Sequence, residues 1–279
     1  MSIQTKACFK KEILAYFRSR KFLIIACVIV GIALLSPLMI VLFSTLMDAM
    51  SDMYAQFDTD VSGLTESITE YSSTGMASSV SDITSAGLIV MLILLSRAAG
   101  GEQKKRAVII PRSAGLRSFS YLFPKYIIYP LSAFFLSIIA MLASWFVSGL
   151  IFNSNDVTFA NAFLASTLVG TTMMFYVCLH LTLGTATGQA GMSAVVCIVM
   201  SMILPLVFAS VDMDYMFNPF ALNMIAASVL HSYVVPGSQI VDILISIAFA
   251  LGIMVTAFFI ALFAQNARRI DNTGEEIEL

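Results

Sequence analysis

Long apolar runs separated by short polar stretches are the dominant pattern of this chain. A helix needs about 20 apolar residues to cross a hydrocarbon core about 30 Å thick. On that rule the sequence predicts an all-α integral membrane protein in which residues 1–279 form a single transmembrane domain. The six predicted transmembrane helices cover residues 22–47, 83–99, 126–151, 161–183, 192–211 and 239–264. Pro37, Pro130 and Pro205 fall inside three of them and receive no functional role, because packing kinks are common in membrane helices.

Two polar connections have informative compositions. Residues 48–82 are rich in Ser, Thr, Asp and Glu and contain no Lys or Arg, which predicts a solvated loop with a helical extension over residues 47–57. An acidic loop can attract cations, but the simpler interpretation of a solvated loop is favoured. Residues 212–238 include an apolar stretch of about a dozen residues, too short to cross a bilayer. That segment predicts a re-entrant helix in the outer leaflet.

The basic residues fix the expected orientation. All 15 Lys and Arg lie within residues 6–21, 97–125 and 268–269, and none lies between these clusters. Because positive residues in short loops stay on the cytoplasmic side, the pattern predicts that both termini and the central cluster face the cytoplasm. A chain that is 59% hydrophobic and 11% charged is not a soluble globular protein.

Candidate chemistry inside the spans is sparse. No phosphate-binding loop, His-Glu-x-x-His or Gly-x-Ser-x-Gly motif occurs, and the four cysteines have no metal-ligand spacing, so no catalytic or metal site is expected. His180 and Asp242 are each either a transport group or, as we favour, a hydrogen-bonded helix contact. Few other charges are predicted deep in the spans, which disfavours an ion-coupled carrier. Gly184 and Gly188, four residues apart, predict close helix packing.

The connection between the second and third predicted spans has the composition of a docking surface. It begins at Gly101 and Glu102, continues through Lys104, Lys105 and Arg106 into an apolar patch, and then turns at Pro111-Arg112-Ser113. Charge combined with an apolar anchor suits a specific cytoplasmic partner.

This segment resembles the coupling loop of type-2 ATP-binding-cassette exporter permeases. The chain shares with that family the Gly-Glu pair, the basic run, the apolar patch, Pro111 with Ser113, and Lys125, and it departs at Ala107 and Pro124, where glycine is usual. The layout also matches over the whole chain. The resemblance implies a dimer of six-span subunits, each docked through loop 100–125 on a separate ATPase subunit that binds ATP and Mg²⁺, so that this chain itself binds no cofactor.

The resemblance also implies that residues 1–21 form an interfacial connecting helix. Its apolar arc comprises Phe9, Ile13, Tyr16 and Phe17, with Leu14, and its last turn leads to Arg18 and Arg20. Lys10 interrupts the arc and would have to extend toward water. The alternative is a basic N-terminus that serves orientation only. We expect Glu102 to pair with Arg18 or Arg20.

The predicted function is that of a non-catalytic permease subunit of an exporter for an amphiphilic, lipid-like or peptide substrate. The path would run between subunits along spans one, two and five, with an outer gate at Phe217, Pro219 and Phe220. Expected partners are the ATPase, a second copy or related permease, and membrane lipid, but no nucleic acid. The expected location is a bacterial plasma membrane, with residues 265–279 as a cytoplasmic tail. The alternatives are a membrane anchor or sensor that recruits an ATPase, a membrane-embedded enzyme, and a self-powered carrier.

Overall fold

The computed structural model describes residues 3–55, 72–102, 115–152, 156–210, 218–231, 237–267, 269–270 and 276–277. Its helices are α1 (Ile3–Arg18), α2 (Arg20–Ala55), α3 (Ser72–Gly101), α4 (Ser118–Ile151), α5 (Phe159–Thr187), α6 (Ala190–Ser210), α7 (Pro219–His231) and α8 (Gly237–Ala267). Within α3, residues Ile83–Gly87 and Arg97–Gly101 form π-helical turns, and α7 begins with a 3₁₀ turn at Pro219–Ala221. Two short strands, β1 (Arg269–Ile270) and β2 (Glu276–Ile277), pair antiparallel.

Six of the described helices, α2 to α6 and α8, are long and apolar enough to cross a membrane. This confirms the prediction of a multi-pass, helical membrane protein. The sequence predicts a helical extension of the first span over residues 47–57, and α2 does continue as far as Ala55. The two largest differences from the predicted boundaries are at helix starts: α3 begins at Ser72 rather than at residue 83, and α4 begins at Ser118 rather than at residue 126.

The early start of α3 corrects the prediction that residues 48–82 form a solvated loop. The Ser-rich sequence Ser72–Asp82 is helical and largely buried. Serine fits inside a membrane helix because its hydroxyl can donate to the carbonyl one turn earlier. Ser79 does so to Gly75 O at 3.1 Å and also lies 2.6 Å from the Ser144 hydroxyl of α4. The polar side chains of this segment therefore make hydrogen bonds within α3 and to neighbouring helices.

Helix α5 is the most buried of the six long helices and forms the centre of the bundle. It packs against α4, α6, α7 and α8. Its N-terminus is capped by the Thr158 hydroxyl, which accepts from Asn161 N, and it ends at Gly188, whose φ of 68° is left-handed. The C-terminal glycine turns the chain sharply into α6.

The start of α4 meets the end of α8 through the ring pair Phe119 and Phe258, and the end of α3 touches the end of α5 and the start of α6. Both contacts lie at the end of the bundle that carries Arg20, Arg97 and Lys125. We call this the basic end, and the other the opposite end. The orientation of these ends in a membrane stays a prediction.

At the basic end, three helices approach so closely that only glycine fits. A Cβ atom added to Gly100 would lie 2.5 Å from the carbonyl oxygen of Gly184 and 3.2 Å from Ala190 N. A Cβ added to Gly184 would lie 2.7 Å from the Cβ of Ala99. The spacing of small residues around Gly184 thus serves helix packing, as its pattern predicts.

Helix α1 lies along α4 and buries a polar face. Thr5, Glu12 and Tyr16 are buried, whereas Ile13 and Phe17 are 39% and 53% exposed. Tyr16 packs edge-to-face on Tyr129 of α4, with ring centroids 5.0 Å apart. Most of the predicted apolar arc therefore faces away from the protein, which suits contact with lipid; an interfacial position stays a prediction.

Helix α7 occupies the segment for which a re-entrant helix is predicted. The Asn218 side chain accepts from Phe220 N at 3.0 Å and caps the helix, which packs against α5 and α3. Phe220 stacks edge-to-face on Phe175 of α5 at 5.3 Å, and Pro219 is buried. Phe217 lies outside the described residues, and neither the re-entrant position nor the gate is tested by these contacts.

The opposite end of α3 is held by Asp156, which lies in the connection between α4 and α5. Its Oδ1 accepts from the Ser72 hydroxyl at 2.8 Å and from Ser73 N at 3.0 Å, and so caps the first turn of α3. Burial acts to raise the pKa of the Asp156 carboxyl, but the hydrogen bonds from Ser73 and Ser72 outweigh it and hold the pKa below the ordinary 3.8. The lowered pKa makes this cap dependent on pH.

Replacing Asp156 by alanine is expected to lower the free energy of unfolding by about 0.5–2 kcal/mol, the usual cost of losing a helix N-cap. Because the folded pKa lies below 3.8, the cap stabilises the fold above that pH and loses its contribution as the pH falls through the folded value. Asp156→Asn keeps an acceptor oxygen and should retain most of the stability while removing this acid dependence. Denaturation in detergent between pH 3 and pH 7 measures both effects; an unchanged stability of Asp156→Ala contradicts the cap.

Candidate functional site at the basic end

Three helices bring titratable side chains together at the basic end. Helix α1 contributes Lys11 and Glu12, and Glu102 directly follows the last π-helical turn of α3. Helix α4 contributes Tyr121, Lys125 and Tyr129, which lie on one face of the helix because they are spaced four residues apart. We call the whole set the charged junction: Lys11, Glu12, Glu102, Tyr121, Lys125 and Tyr129.

Glu102 and Lys125 form the centre of the charged junction. Lys125 Nζ lies 2.7 Å from Glu102 Oε2, and Tyr121 donates its hydroxyl proton to the same oxygen at 2.8 Å. Lys125 also donates to Ala98 O at 3.2 Å and to the Tyr121 hydroxyl at 2.9 Å. Its three N–H groups therefore have three acceptors. The Lys125 side chain is only 2% exposed, so this is a buried, fully bonded ammonium group.

The carboxyl of Glu102 stays charged in this environment. Burial acts to raise the pKa of Glu102, but the attraction of Lys125, together with hydrogen bonds from Lys125 and Tyr121, outweighs it and places the pKa below its ordinary value of 4.5. Lys11 adds a weaker attraction, with its Nζ 3.8 Å from Glu102 Oε1. Lys11 is 59% exposed, so water screens most of that contact.

Glu12 links the N-terminal helix to the same face of α4. It is 3% exposed, and its Oε2 accepts from the Tyr129 hydroxyl at 2.8 Å. Its Oε1 lies 3.6 Å from Lys11 Nζ. Lys11 thus lies between two carboxylates, one on α1 and one at the end of α3.

A cavity of about 190 Å³ adjoins these side chains. Its walls include both carboxylates and three basic residues, which are Lys11, Lys21 and Arg97. That volume holds several water molecules, and the polar lining gives them partners. The cavity is therefore large enough to admit water beside the charged side chains of the junction.

The structure tests only part of the predicted coupling site. Gly101 and Glu102 are at the end of α3, where the loop begins. The other members of the predicted site lie outside the described residues: Lys104, Lys105, Arg106, Pro111, Arg112 and Ser113. Residues 118–125, assigned to the loop by the sequence, are helical.

The predicted pairing of Glu102 with Arg18 or Arg20 is wrong. Both arginines are exposed, and Glu102 pairs with Lys125 and more loosely with Lys11. The physical reason is the early start of α4, which carries Lys125 inside the bundle instead of leaving it in a loop. A lysine flanked at four-residue spacing by Tyr121 and Tyr129 was the sequence signal for a buried, hydrogen-bonded ammonium group.

His180 and Asp82 are two of the titratable groups inside the long helices. His180 is buried in α5, and its Nδ1 lies 3.0 Å from the Ser193 hydroxyl of α6, which is the helix contact that the sequence favoured. Asp82, assigned by the sequence to a solvated loop, lies within α3, where its Oδ2 accepts from the Ser36 hydroxyl of α2 at 2.7 Å. Asp82 is therefore an exception to the expectation of few ionisable residues deep in the spans, and it weakens the argument against an ion-coupled carrier, whereas Lys125 lies in α4 at the basic end.

No protein-family model, curated protein or solved structure matches the chain.

Proposed function

We propose that this chain is the membrane subunit of an exporter driven by a separate ATPase of the ATP-binding-cassette class. The ATPase would dock on the basic loop that follows Glu102, and a second copy of the chain or a related permease would complete the transport path. The cargo would be amphiphilic, lipid-like or a peptide. This chain would supply the path and no catalytic group.

The charged junction is the observation that carries the proposal. Glu102 is the last described residue before the basic loop, and it is bonded to Lys125 and Tyr121 of the next long helix. Lys11 joins the same carboxylate to α1. A partner that displaces the loop therefore acts on three helices at once, because their charged groups share one network.

The strength of these contacts suits transmission of force. A buried ion pair loses several kcal/mol when one partner is left alone, so Lys125 follows Glu102 rather than separating from it. Lys125 is rigidly placed in α4, which crosses the bundle to Ile151 at the opposite end. A small displacement at the loop would thus tilt or shift a helix that reaches the other side of the membrane.

Purification of the tagged full chain from its native membrane tests the proposal. We expect a stoichiometric ATPase with a phosphate-binding loop, identified by mass spectrometry, whose vanadate-sensitive turnover responds to the chain. Glu102→Gln should change that turnover by at least about fivefold, the lower end of a typical coupling between sites. Glu66→Gln, in the acidic segment between α2 and α3, is the matched control and should leave turnover unchanged.

Two results contradict the proposal. One is a pure, folded chain with no ATPase partner, which would favour a self-powered carrier. The other is a bound ATPase whose turnover is insensitive both to Glu102→Gln and to any lipid, peptide or amphiphile added to reconstituted vesicles. That second result would favour a membrane anchor that recruits the ATPase without transport.

A further inference from the structure

Asp82 lies well inside the membrane-spanning part of α3. It is ten residues beyond Ser72 and nineteen before Gly101, which places it about 15 Å and 28 Å from the two ends of the helix. Its partner Ser36 lies at a matching level of α2, sixteen residues, or about 24 Å, beyond Arg20. A carboxyl group at this depth needs protein, water or a ligand around it.

Both helices are reshaped at this level. Pro37 has no N–H to bond the carbonyl of Ala33, and the Ser79 hydroxyl oxygen of α3 lies 3.3 Å from that carbonyl oxygen, so the one Ser79 proton is shared between Ala33 O and Gly75 O. In α3 the π-helical turn Ile83–Gly87 begins directly after Asp82. Such turns widen a helix locally and are frequent at functional sites. Asp82 therefore lies where both helices depart from regular α-helical geometry, α2 at Pro37 and α3 at the π-helical turn.

Ser36 and Ser78 do not use all the hydrogen bonds that the Asp82 carboxyl can accept. Ser36 has one hydroxyl proton, and its oxygen lies 2.7 Å from both Ile32 O and Asp82 Oδ2. Ser78 lies 3.5 Å from the same Oδ2, at the limit of a hydrogen bond. A carboxylate accepts up to about four hydrogen bonds. The half-buried Asp82 side chain can thus accept more donors, and it is accessible from the surface of the single chain.

Among the described residues, no Lys or Arg forms an ion pair with Asp82. All 15 Lys and Arg lie within residues 6–21, 97–125 and 268–269. On α3 itself the nearest is Arg97, fifteen residues or about 22 Å away toward the basic end. The described part of this chain therefore leaves the Asp82 carboxyl open to a positively charged group from another molecule.

The surroundings favour a cation at this level. Ser78, Ser81 and Ser85 share the surface with Asp82 and give an incoming group a polar path along α3. In the sequence, residues 48–71, which precede the start of α3, contain Asp and Glu but no Lys or Arg, a composition that favours cations over anions. The described residues contain no group of three or more His, Cys, Asp or Glu that could hold a metal ion, so an organic cation suits the site better than a divalent metal.

We propose that Asp82, with the hydroxyls of Ser36 and Ser78, binds the ammonium or guanidinium group of an amphiphilic cation within the transport path. The proposal rests on the proposed function only in that the bound molecule is the cargo. It narrows the cargo to molecules that join an apolar body to a hydrogen-bonding positive group, including amines and basic peptides. Neutral amphiphiles of the same size would bind more weakly.

The proposed cation site is tested by measuring the binding of two probes to the purified full chain in lipid nanodiscs, with no ATPase present. The two probes are a fluorescent dodecylammonium and a matched fluorescent dodecanol, each corrected for partition into empty nanodiscs. We expect the wild-type chain to prefer the ammonium by about tenfold or more, the size of a hydrogen bond to a charged group. Asp82→Asn should remove that preference, whereas Asp82→Glu and the matched control Asp242→Asn should retain it.

Three results overturn the proposal: no preference in the wild type, a preference that survives Asp82→Asn, or one that is lost in Asp242→Asn. If Asp82→Asn does not fold, modification of wild-type Asp82 by dicyclohexylcarbodiimide replaces it. Protection by the ammonium alone supports the site, whereas equal protection by both probes, protection by neither, or no modification contradicts it. Because no ATPase is present, failure here leaves the proposed coupling intact, and failure of coupling leaves this binding result intact.

Discussion

Replacing Lys125 by methionine is expected to lower the free energy of unfolding by about 3–5 kcal/mol, the usual cost of leaving one member of a buried ion pair alone. Methionine approximates the length of the aliphatic part of lysine but removes the ammonium group, which lies 2.7 Å from Glu102 Oε2. Glu102, with a side chain 19% exposed, then keeps only the hydroxyl of Tyr121 and the distant, solvated Lys11. Denaturation by a graded series of detergent mixtures measures the loss.

The double variant Glu102→Gln/Lys125→Met separates an interaction from a simple packing defect. Removing both charges leaves no buried ion without a partner, so the double variant should recover most of the stability lost by Lys125→Met. Lys10→Met is the matched control, because Lys10 is exposed on α1 and takes part in no ion pair among the described residues, so its loss should cost less than about 1 kcal/mol. Additive losses in the double variant would contradict direct pairing of Glu102 with Lys125.

The same double variant bears on function. If the ion pair transmits movement of the basic loop to α4, a chain with a restored fold but without the pair should still bind the ATPase and lose its control over turnover. Stability and coupling would then be separated in one protein. A stable double variant with normal coupling would place transmission elsewhere, for example in the contact between α3 and α5.

The long helices were predictable because a continuous apolar run has few alternatives in a membrane. The start of α3 was not, because serine, glycine and aspartate are typical of loops, and their use in contacts between helices depends on partners such as Ser144 and Ala33. Lys125 was misplaced for a related reason. A lysine beside a proline favours a loop in sequence, while its three acceptors exist only after α3 and α4 have packed.

The charge pattern carried more information than any local motif. It grouped the N-terminal and central basic clusters, and Lys11, Lys21 and Arg97 from these two clusters do line one cavity in the fold; the orientation in a membrane stays a prediction. It could not identify the pairs, because several basic residues compete for two carboxylates and the choice depends on helix register. The same pattern has a second use because Asp82 lies in α3, a helix long and apolar enough to cross a membrane. The sequence places no Lys or Arg between residues 22 and 96, and no described residue forms an ion pair with Asp82.

Replacing Gly184 by alanine is expected to be the second most damaging change, with a loss of about 1–3 kcal/mol from overpacking. The added Cβ would lie 2.7 Å from the Cβ of Ala99 and 2.9 Å from its carbonyl carbon. Backbone cannot rotate away as a long side chain can, so α3 and α5 must separate. Gly100→Ala should cause a similar loss, because its Cβ meets the carbonyl oxygen of Gly184 at 2.5 Å.

Gly252→Ala in α8 is the control, because nothing lies within 4 Å of its added Cβ. There alanine should be neutral or stabilise the helix by up to about 1 kcal/mol. Both substitutions replace glycine by alanine within a helix, so the difference in stability between Gly184→Ala and Gly252→Ala measures the effect of the close contact between α3 and α5 apart from helix propensity. Because Gly100 lies two residues before Glu102, forcing α3 away from α5 should also displace the charged junction, so Gly184→Ala should weaken ATPase control even where the chain still folds. Equal stability and coupling for Gly184→Ala and Gly252→Ala would show that the contact between α3 and α5 is looser than the backbone distances indicate.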